Sequence, residues 1–248
     1  MRLRVVSYNI HRAIGLDRRF RLDRIVSILK HLQPDVALLQ EVDSGAPRSG
    51  ELDLANELAQ ELGFPHYAVG HNVRLRKGRY GNATLSQFPI LRERNIDLTI
   101  ESKKRRGCQH TSIYVQKHKS NPHTIEVFNL HLGLSARERQ RQVGLLVRSG
   151  EFASLDQSHA CLVGGDFNDW RGQLPPIFVE GLGFQCATLR SDGYSRPLRT
   201  YPSFSPTGGL DKIFFRGRVH LIEASTCRLH VSRVASDHLP VIVDFELQ

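Results

Sequence analysis

The chain has 248 residues, 40% of them hydrophobic and spread from end to end, a size and composition that predict one domain over residues 1–248 with a sizeable core. No segment approaches the ~20 apolar residues of a membrane span, and Met1-Arg2-Leu3-Arg4 runs straight into a strand-like stretch, with no room for the apolar region of a signal peptide. Lysine and arginine number 34 against 25 acids, a formal charge of +9 that favours polyanions: nucleic acid, an anionic membrane surface or phosphorylated small molecules.

Leu3 to Tyr8 reads as a strand ending at Asn9-Ile10-His11. Leu22, Ile25, Val26, Leu29 and Leu32 recur at helical spacing, and Pro34 closes that helix. Val36 to Leu39 is an apolar strand followed at once by Gln40-Glu41-Val42-Asp43. A second helix carries Leu52, Ala55, Leu58, Ala59 and Leu62, with Gly63 as its stop. Strand, helix, strand, helix is the α/β rhythm. In the middle third, Ala83 to Ser86, Thr111 to Gln116 and Thr124 to Leu132 are strands with no helix between them, which predicts antiparallel pairing and so a mixed sheet. Ser135 and Glu138 form a capping box for one long helix continuing through Val143, Leu146, Phe152 and Leu155. The apolar run Ala160 to Val163 is broken by Gly164-Gly165 before Asp166-Phe167-Asn168-Asp169-Trp170, where missing side chains allow close approach of backbone or substrate. A short helix near Pro176 to Glu180 and strands at Lys212–Phe215, His220–Ala224 and Pro240–Leu247 complete the chain.

Polar residues gather where the strands end: Asn9, Glu41, His131, Asp166 with Asn168, Asp211, and Asp237 with His238. One such residue is ordinarily a turn residue; six places of this kind at separate strand ends point to a shared site. Carboxylate and amide oxygens suit a hard cation such as Mg²⁺, which keeps several waters and takes few protein oxygens. Histidines beside aspartates suit acid–base work, and phosphoryl transfer needs both kinds of group. Four scattered cysteines without a Cys-x-x-Cys pair argue against zinc and read as reduced thiols of a cytoplasmic protein. With no Gly-x-Ser-x-Gly elbow and no phosphate-binding P-loop, serine hydrolases and NTPases lack support.

The motifs Asn9-Ile10, Gln40-Glu41, Asn129-x-His131, Gly165-Asp166-x-Asn168, Leu210-Asp211 and Ser236-Asp237-His238, in this order along the whole chain, resemble the endonuclease/exonuclease/phosphatase superfamily. The resemblance implies an α/β, deoxyribonuclease I-like fold: a four-layer sandwich of two packed mixed β-sheets flanked by α-helices. It further implies a metal-dependent phosphodiesterase using Mg²⁺, with Mn²⁺ as a substitute. Glu41 matches the main metal carboxylate, Asn9 an amide ordering metal and phosphate, and Asp237 a metal-proximal acid. Asp166 matches the aspartate that orients or deprotonates the attacking water, and Asn168 its partner on the phosphate. His238 matches the histidine on the scissile phosphate, Asp211 the acid orienting it, and His131 a second phosphate histidine. Arg106 and Asn82 fall where relatives contact substrate.

Given the charge, nucleic acid is the first expectation for the substrate of a monomeric enzyme. A phospholipid headgroup or small phosphorylated molecule is the second, and a dead polyanion-binding module the third. His11 stands where abasic-site enzymes carry an aspartate, so that activity loses support. Arg74, Arg76 and Lys77, with Lys103, Lys104 and Arg105, are expected to form a polyanion track. Phe167 and Trp170 are read as packing residues.

Overall fold

The computed structural model describes residues 1–116, 122–190 and 196–248. One six-stranded sheet contains β1 (Arg2–Asn9), β2 (Val36–Ser44), β3 (His66–Arg74), β4 (Arg79–Ser86), β13 (Val219–Thr226) and β14 (Val241–Leu247), in the order β13-β14-β1-β2-β4-β3. The other contains β5 (Ile90–Asp97), β6 (Gly107–Val115), β7 (His123–His131), β8 (Cys161–Asp166), β9 (Gln185–Cys186) and β12 (Asp211–Arg216), in the order β5-β6-β7-β8-β12-β9. A short ribbon pairs β10 (Leu189–Arg190) with β11 (Arg196–Pro197). Each sheet holds one parallel pair near its centre, β1–β2 and β7–β8, and the remaining pairs are antiparallel. Parallel neighbours need a crossover. Helix α1 (Leu22–Leu32) supplies the first, and α3 (Ala136–Arg148) with α4 (Gly150–Ala153) the second; α2 (Leu54–Leu62) and α5 (Ser232–Ala235) complete the helices named here.

Strand parity explains the layers. Side chains alternate between the two faces of a strand. On β1, Leu3 and Val5 join Leu38, Val127, Leu162, Ile213 and Phe245 in the apolar core between the sheets. Val6 and Tyr8 point the other way, onto Ile25, Leu29 and Leu58 of α1 and α2. On the far side, Phe128, Val163 and Phe214 pack on Val143, Leu146 and Phe152 of α3 and α4. The result is the expected mixed α/β arrangement of two packed sheets with helices on their outer faces. Among the described residues no helix is long and apolar enough to cross a membrane.

Two local expectations differ from the structure. The long helix after Ser135 is broken: Ser149 is extended (ψ 147°), and its Oγ accepts from the Phe152 amide at 3.3 Å to cap α4. The apolar periodicity runs through the break because both pieces pack into one cluster. Strands β3 and β5 carry no clear apolar alternation in sequence. Both are sheet edges, and β5 is almost wholly exposed over Leu91–Asn95; pairing with a neighbour rather than burial defines such strands.

Toward one end the inter-sheet layer turns polar. Thr84 Oγ1 donates to Gln109 Oε1 at 2.7 Å, and Gln40 Nε2 to Asn129 Oδ1 at 2.8 Å. Asn129 Nδ2 donates across the sandwich to the Leu39 and Ala83 carbonyls at 3.2 and 3.0 Å. Asn129→Ala would strand these buried partners, so it is expected to lower unfolding stability by about 2–4 kcal/mol in urea titrations. At the opposite edge Asp244 accepts from Arg4 and Arg2 at 2.6–2.9 Å, and these hydrogen bonds lower its pKa to about 2. A carboxyl held below its unfolded pKa contributes stability that is complete above the unfolded value and lost as pH falls through the folded one. Asp244→Asn is therefore expected to flatten the fall in urea midpoint between about pH 4 and pH 2.

Candidate active site

The parity that puts Leu3 and Val5 between the sheets puts Asn9 there too, at the end of β1. The same holds for Asn129 and His131 on β7, Asp166 on β8 and Asp211 on β12, each two or four residues from an inter-sheet apolar side chain. Register completes the convergence: His131 lies opposite Asp166 in the parallel β7–β8 pair, and Asp211 opposite Asp166 in the antiparallel β8–β12 pair. Asn9, His131, Asp166 and Asp211 are all at least nine-tenths buried. Gly165 makes the convergence possible. Its φ is +134°, and a Cβ there would lie 2.0 Å from the Leu130 carbonyl oxygen, so the approaching neighbour is β7 backbone.

Hydrogen bonds fix the carboxylates. Asn9 Nδ2 donates to Asp166 Oδ2 at 3.0 Å, and the Asn168 amide to Asp166 Oδ1 at 2.9 Å. Asn168 Nδ2 anchors to the Leu132 carbonyl at 2.9 Å. His238 Nδ1 lies 2.8 Å from Asp211 Oδ2, which also accepts from Thr200 Oγ1 at 2.5 Å. The other ring nitrogen of His238 is 3.7 Å from Asp166 Oδ2, and His131 Nε2 is 3.4 Å from the same oxygen. Ser236 Oγ donates to the Asn9 carbonyl at 2.6 Å and accepts from the His238 amide at 3.2 Å, tying that loop to β1.

Charge distribution separates the two histidines. Burial acts to lower the His238 pKa, but the Asp211 and Asp166 charges, the Asp211 hydrogen bond and Asp237 outweigh it and raise it to about 10. His238 is therefore a cation held between two carboxylates. Burial, Arg106, His238, Lys104 and Arg12 together hold the His131 pKa well below the ordinary value, leaving it neutral. Burial raises the Asp166 pKa to about 6, with His238 opposing and Asp211 adding to the shift.

Glu41 sits at a bulge where the β2–β4 register slips, with φ +56°. Its Oε2 is buried, makes no hydrogen bond and lies 3.4 Å from Arg12 Nε. A buried carboxylate oxygen without a hydrogen bond, on the strand paired with the one that carries Asn9, fits a hard cation. Asp166, Asp211 and His238 also offer three ligand atoms within 4.8 Å of one another. The protonated imidazole and the internal hydrogen bond suit that trio better to proton transfer than to a cation. Asp237 is half-buried beside His238, with its Oδ1 3.4 Å from Ser236 Oγ. Arg106 is 7% exposed and its Nε lacks a partner. Asn82 is turned inward, donating to the Gly107 and Asn129 carbonyls at 3.2 and 3.1 Å, so it braces the sheets behind the site.

Backbone strain gathers here. Of the nine non-glycine residues with positive φ among the described residues, His11, Arg12, Ala13, Glu41 and Asn168 border this network. Sequence reasoning missed Arg12, Thr200 and Tyr201. Arg12 stood next to the conspicuous Asn9-Ile10-His11, but Thr200 and Tyr201 carry no motif. The buried ion group of Asp169, Lys212 and Arg139 also escaped it: Asp169 accepts from the Gln173 and Leu174 amides at 3.0 Å and lies 3.9 Å from Lys212 Nζ and 3.7 Å from Arg139 Nη2.

This arrangement has close structural parallels. An endonuclease/exonuclease/phosphatase of Beutenbergia cavernae DSM 12333 superposes with a TM-score of 0.77 at 20% identity, over 99% of this chain and 72% of that one. The human Nocturnin catalytic domain, solved with a bound sulfate anion, gives 0.76 at 23% identity over 100% and 94%. In sequence, the Escherichia coli (strain K12) protein described as uncharacterized protein YbhP is 30% identical over 254 residues, covering 98% of this chain and 96% of its own. Residues 6–238, from the first strand to the histidine that Asp211 holds, match the Endonuclease/Exonuclease/phosphatase family, and the chain belongs to it.

Proposed function

We propose that the protein is a divalent-metal-dependent phosphodiesterase, using Mg²⁺ or Mn²⁺ and acting on nucleic acid as a one-domain cytoplasmic monomer. The observation that carries this reading is the buried trio in which Asp211 grips His238 at 2.8 Å while His238 faces Asp166. A tetrahedral phosphate against that face meets a fixed cation on His238 and neutral donors on His131 and Asn168. Asp166, raised to about 6 by burial, is the base that takes a proton from the attacking water. The water oxygen bonds to phosphorus, the phosphorus–oxygen bond to the leaving group breaks, and protonated His238 counters the charge on the phosphate oxygens. Glu41, Asn9 and Asp237 would hold the metal, which when bound supplies further charge neutralisation at phosphate. Arg106, with its unpartnered Nε, contacts the substrate phosphate. Asn82 acts on substrate through the strands it braces.

A phospholipid phosphodiester is the second reading, favoured by Leu134 and Phe204, which are 71% and 62% exposed on loops at this end of the sandwich. The purified protein, offered plasmid DNA, RNA, bis-p-nitrophenyl phosphate, p-nitrophenyl phosphate and phospholipid with Mg²⁺, Mn²⁺ or EDTA, is expected to cleave nucleic acid and the diester only with metal. Cleavage of the monoester alone would overturn the diesterase assignment, and cleavage of phospholipid alone would overturn the choice of nucleic acid.

A further inference from the structure

Trp170 is the single tryptophan of the chain. It follows the Asp166–Asp169 turn and is 53% exposed, whereas Phe167 is fully buried as a packing residue should be. Its ring meets Tyr201 edge to face at 5.1 Å, and the Tyr201 ring lies 5.0 Å from the His238 imidazole. Three rings in sequence thus lead from solvent to the buried centre. Gly208 packs against the tryptophan so closely that a Cβ there would come within 3.1 Å of its six-membered ring, which fixes the ring in place. Trp170 borders a cleft of about 580 Å³ walled by Pro175, Pro176, Val179 and Pro197. A second cleft, of about 480 Å³, shares the Pro197 wall and reaches Leu239, the neighbour of His238. Arg196, Arg199, Arg228 and Arg233 line it, and among the described residues no acidic side chain does.

We infer that these two clefts hold an unpaired nucleic-acid strand, one base stacking on Trp170 while adjoining phosphates run along the four arginines. The inference rests on the phosphodiesterase reading of the adjacent centre and names the form of its substrate. A base presents its π-face only when unpaired and unstacked, and aromatic side chains beside a basic groove are how single strands are held without sequence preference. A duplex offers edges and backbone, which a walled cleft beside a fixed ring does not fit. A bilayer is the poorer occupant, because Trp170 is packed against Gly208 and Tyr201 instead of projecting freely, and the arginines line a concavity suited to discrete phosphates.

Since Trp170 is the sole tryptophan, its emission reports this place alone. With EDTA present to stop hydrolysis, a dT oligomer is expected to quench that emission, and a duplex of equal length to quench it far less. Binding of a fluorescently labelled oligomer, followed by anisotropy, is expected to weaken roughly 5- to 150-fold in Trp170→Leu, the worth of one stacked base, and much less in Trp170→Phe. Arg199→Gln with Arg228→Gln is expected to weaken it further and to flatten its salt dependence. Oligomer binding without quenching, unchanged affinity in Trp170→Leu, or equal quenching by duplex would overturn the inference. So would a blue shift with phosphatidylglycerol vesicles and no response to the oligomer. Quenching without any hydrolysis when Mg²⁺ is added would support the strand site and overturn the enzymatic reading; hydrolysis without quenching would overturn the strand site alone.

Discussion

His238→Ala is expected to lower kcat by about 10²–10³, the usual cost of removing one group that stabilises charge at the reacting centre. His238 is 4% exposed, and its ring is held by Asp211 at 2.8 Å and faces Asp166 at 3.7 Å, so the variant leaves a cavity where a cation stood between two carboxylates. Asp211→Asn should act through the same step, because a carboxamide at that place no longer stabilises the imidazolium. Thr200 Oγ1 would still donate to whatever oxygen remains at position 211. If the two residues form one unit, the double variant should lose much less than the product of the single losses. Single-turnover rates for the four proteins close the cycle, with Mg²⁺ titrations showing that metal binding persists. Fully multiplicative losses would mean that Asp211 and His238 act separately.

Glu41→Gln is expected to weaken Mg²⁺ binding and to lower activity on the order of 10²-fold or more at fixed metal, since a bound cation contributes several kcal/mol of charge stabilisation. The side chain's charge meets Arg12 in an ion pair at 3.4 Å that carries no hydrogen bond, a weak structural role for a carboxylate. Its Oε2 makes no hydrogen bond, and Arg12 is near but not aligned to donate. Removing the charge should therefore leave thermal unfolding almost unchanged, and high Mg²⁺ should recover part of the rate. Calorimetric titration with Mg²⁺ and a melting curve of the same sample check both halves. A variant that melts much earlier but retains specific activity while folded would show that Glu41 serves the bulge at β2 and not a cation.

The basic clusters show how far linear charge patterns reach. Arg74 to Arg79 forms the β3–β4 connection, where Gly78 packs on Gly45 just beyond β2, so this cluster lies at the site end. Yet Lys77 pairs with Glu51, Lys104 stands 5.3 Å over the Tyr80 ring beside Arg48 at 5.4 Å, and Arg106 turns inward. A run of like charges in sequence is thus dispersed among different tasks. The four arginines of the cleft, drawn from positions 196 to 233, form no run at all.

What the sequence determined by itself was the set of strands bearing polar ends. An apolar residue at i and a polar one at i+2 or i+4 share a face, so Val5 announces Asn9, Val127 announces His131 and Ile213 announces Asp211. The α/β rhythm placed the first two helices for the same reason, through spacing that local geometry imposes. What only the tertiary structure decided was which faces meet and what they enclose. Edge strands β3 and β5 exist because a neighbour offers unpaired backbone groups, which no local pattern records. The break at Ser149 is invisible to periodicity because both helical pieces reach one cluster. Arg12, Thr200 and Tyr201 join the site through loops whose course is set by distant partners: Leu16 bonds to Val234, Leu239 to Thr200 and Ser203 to Asp237. Such contacts depend on three-dimensional proximity between segments far apart in the chain, and one sequence states their residue types without stating that they touch.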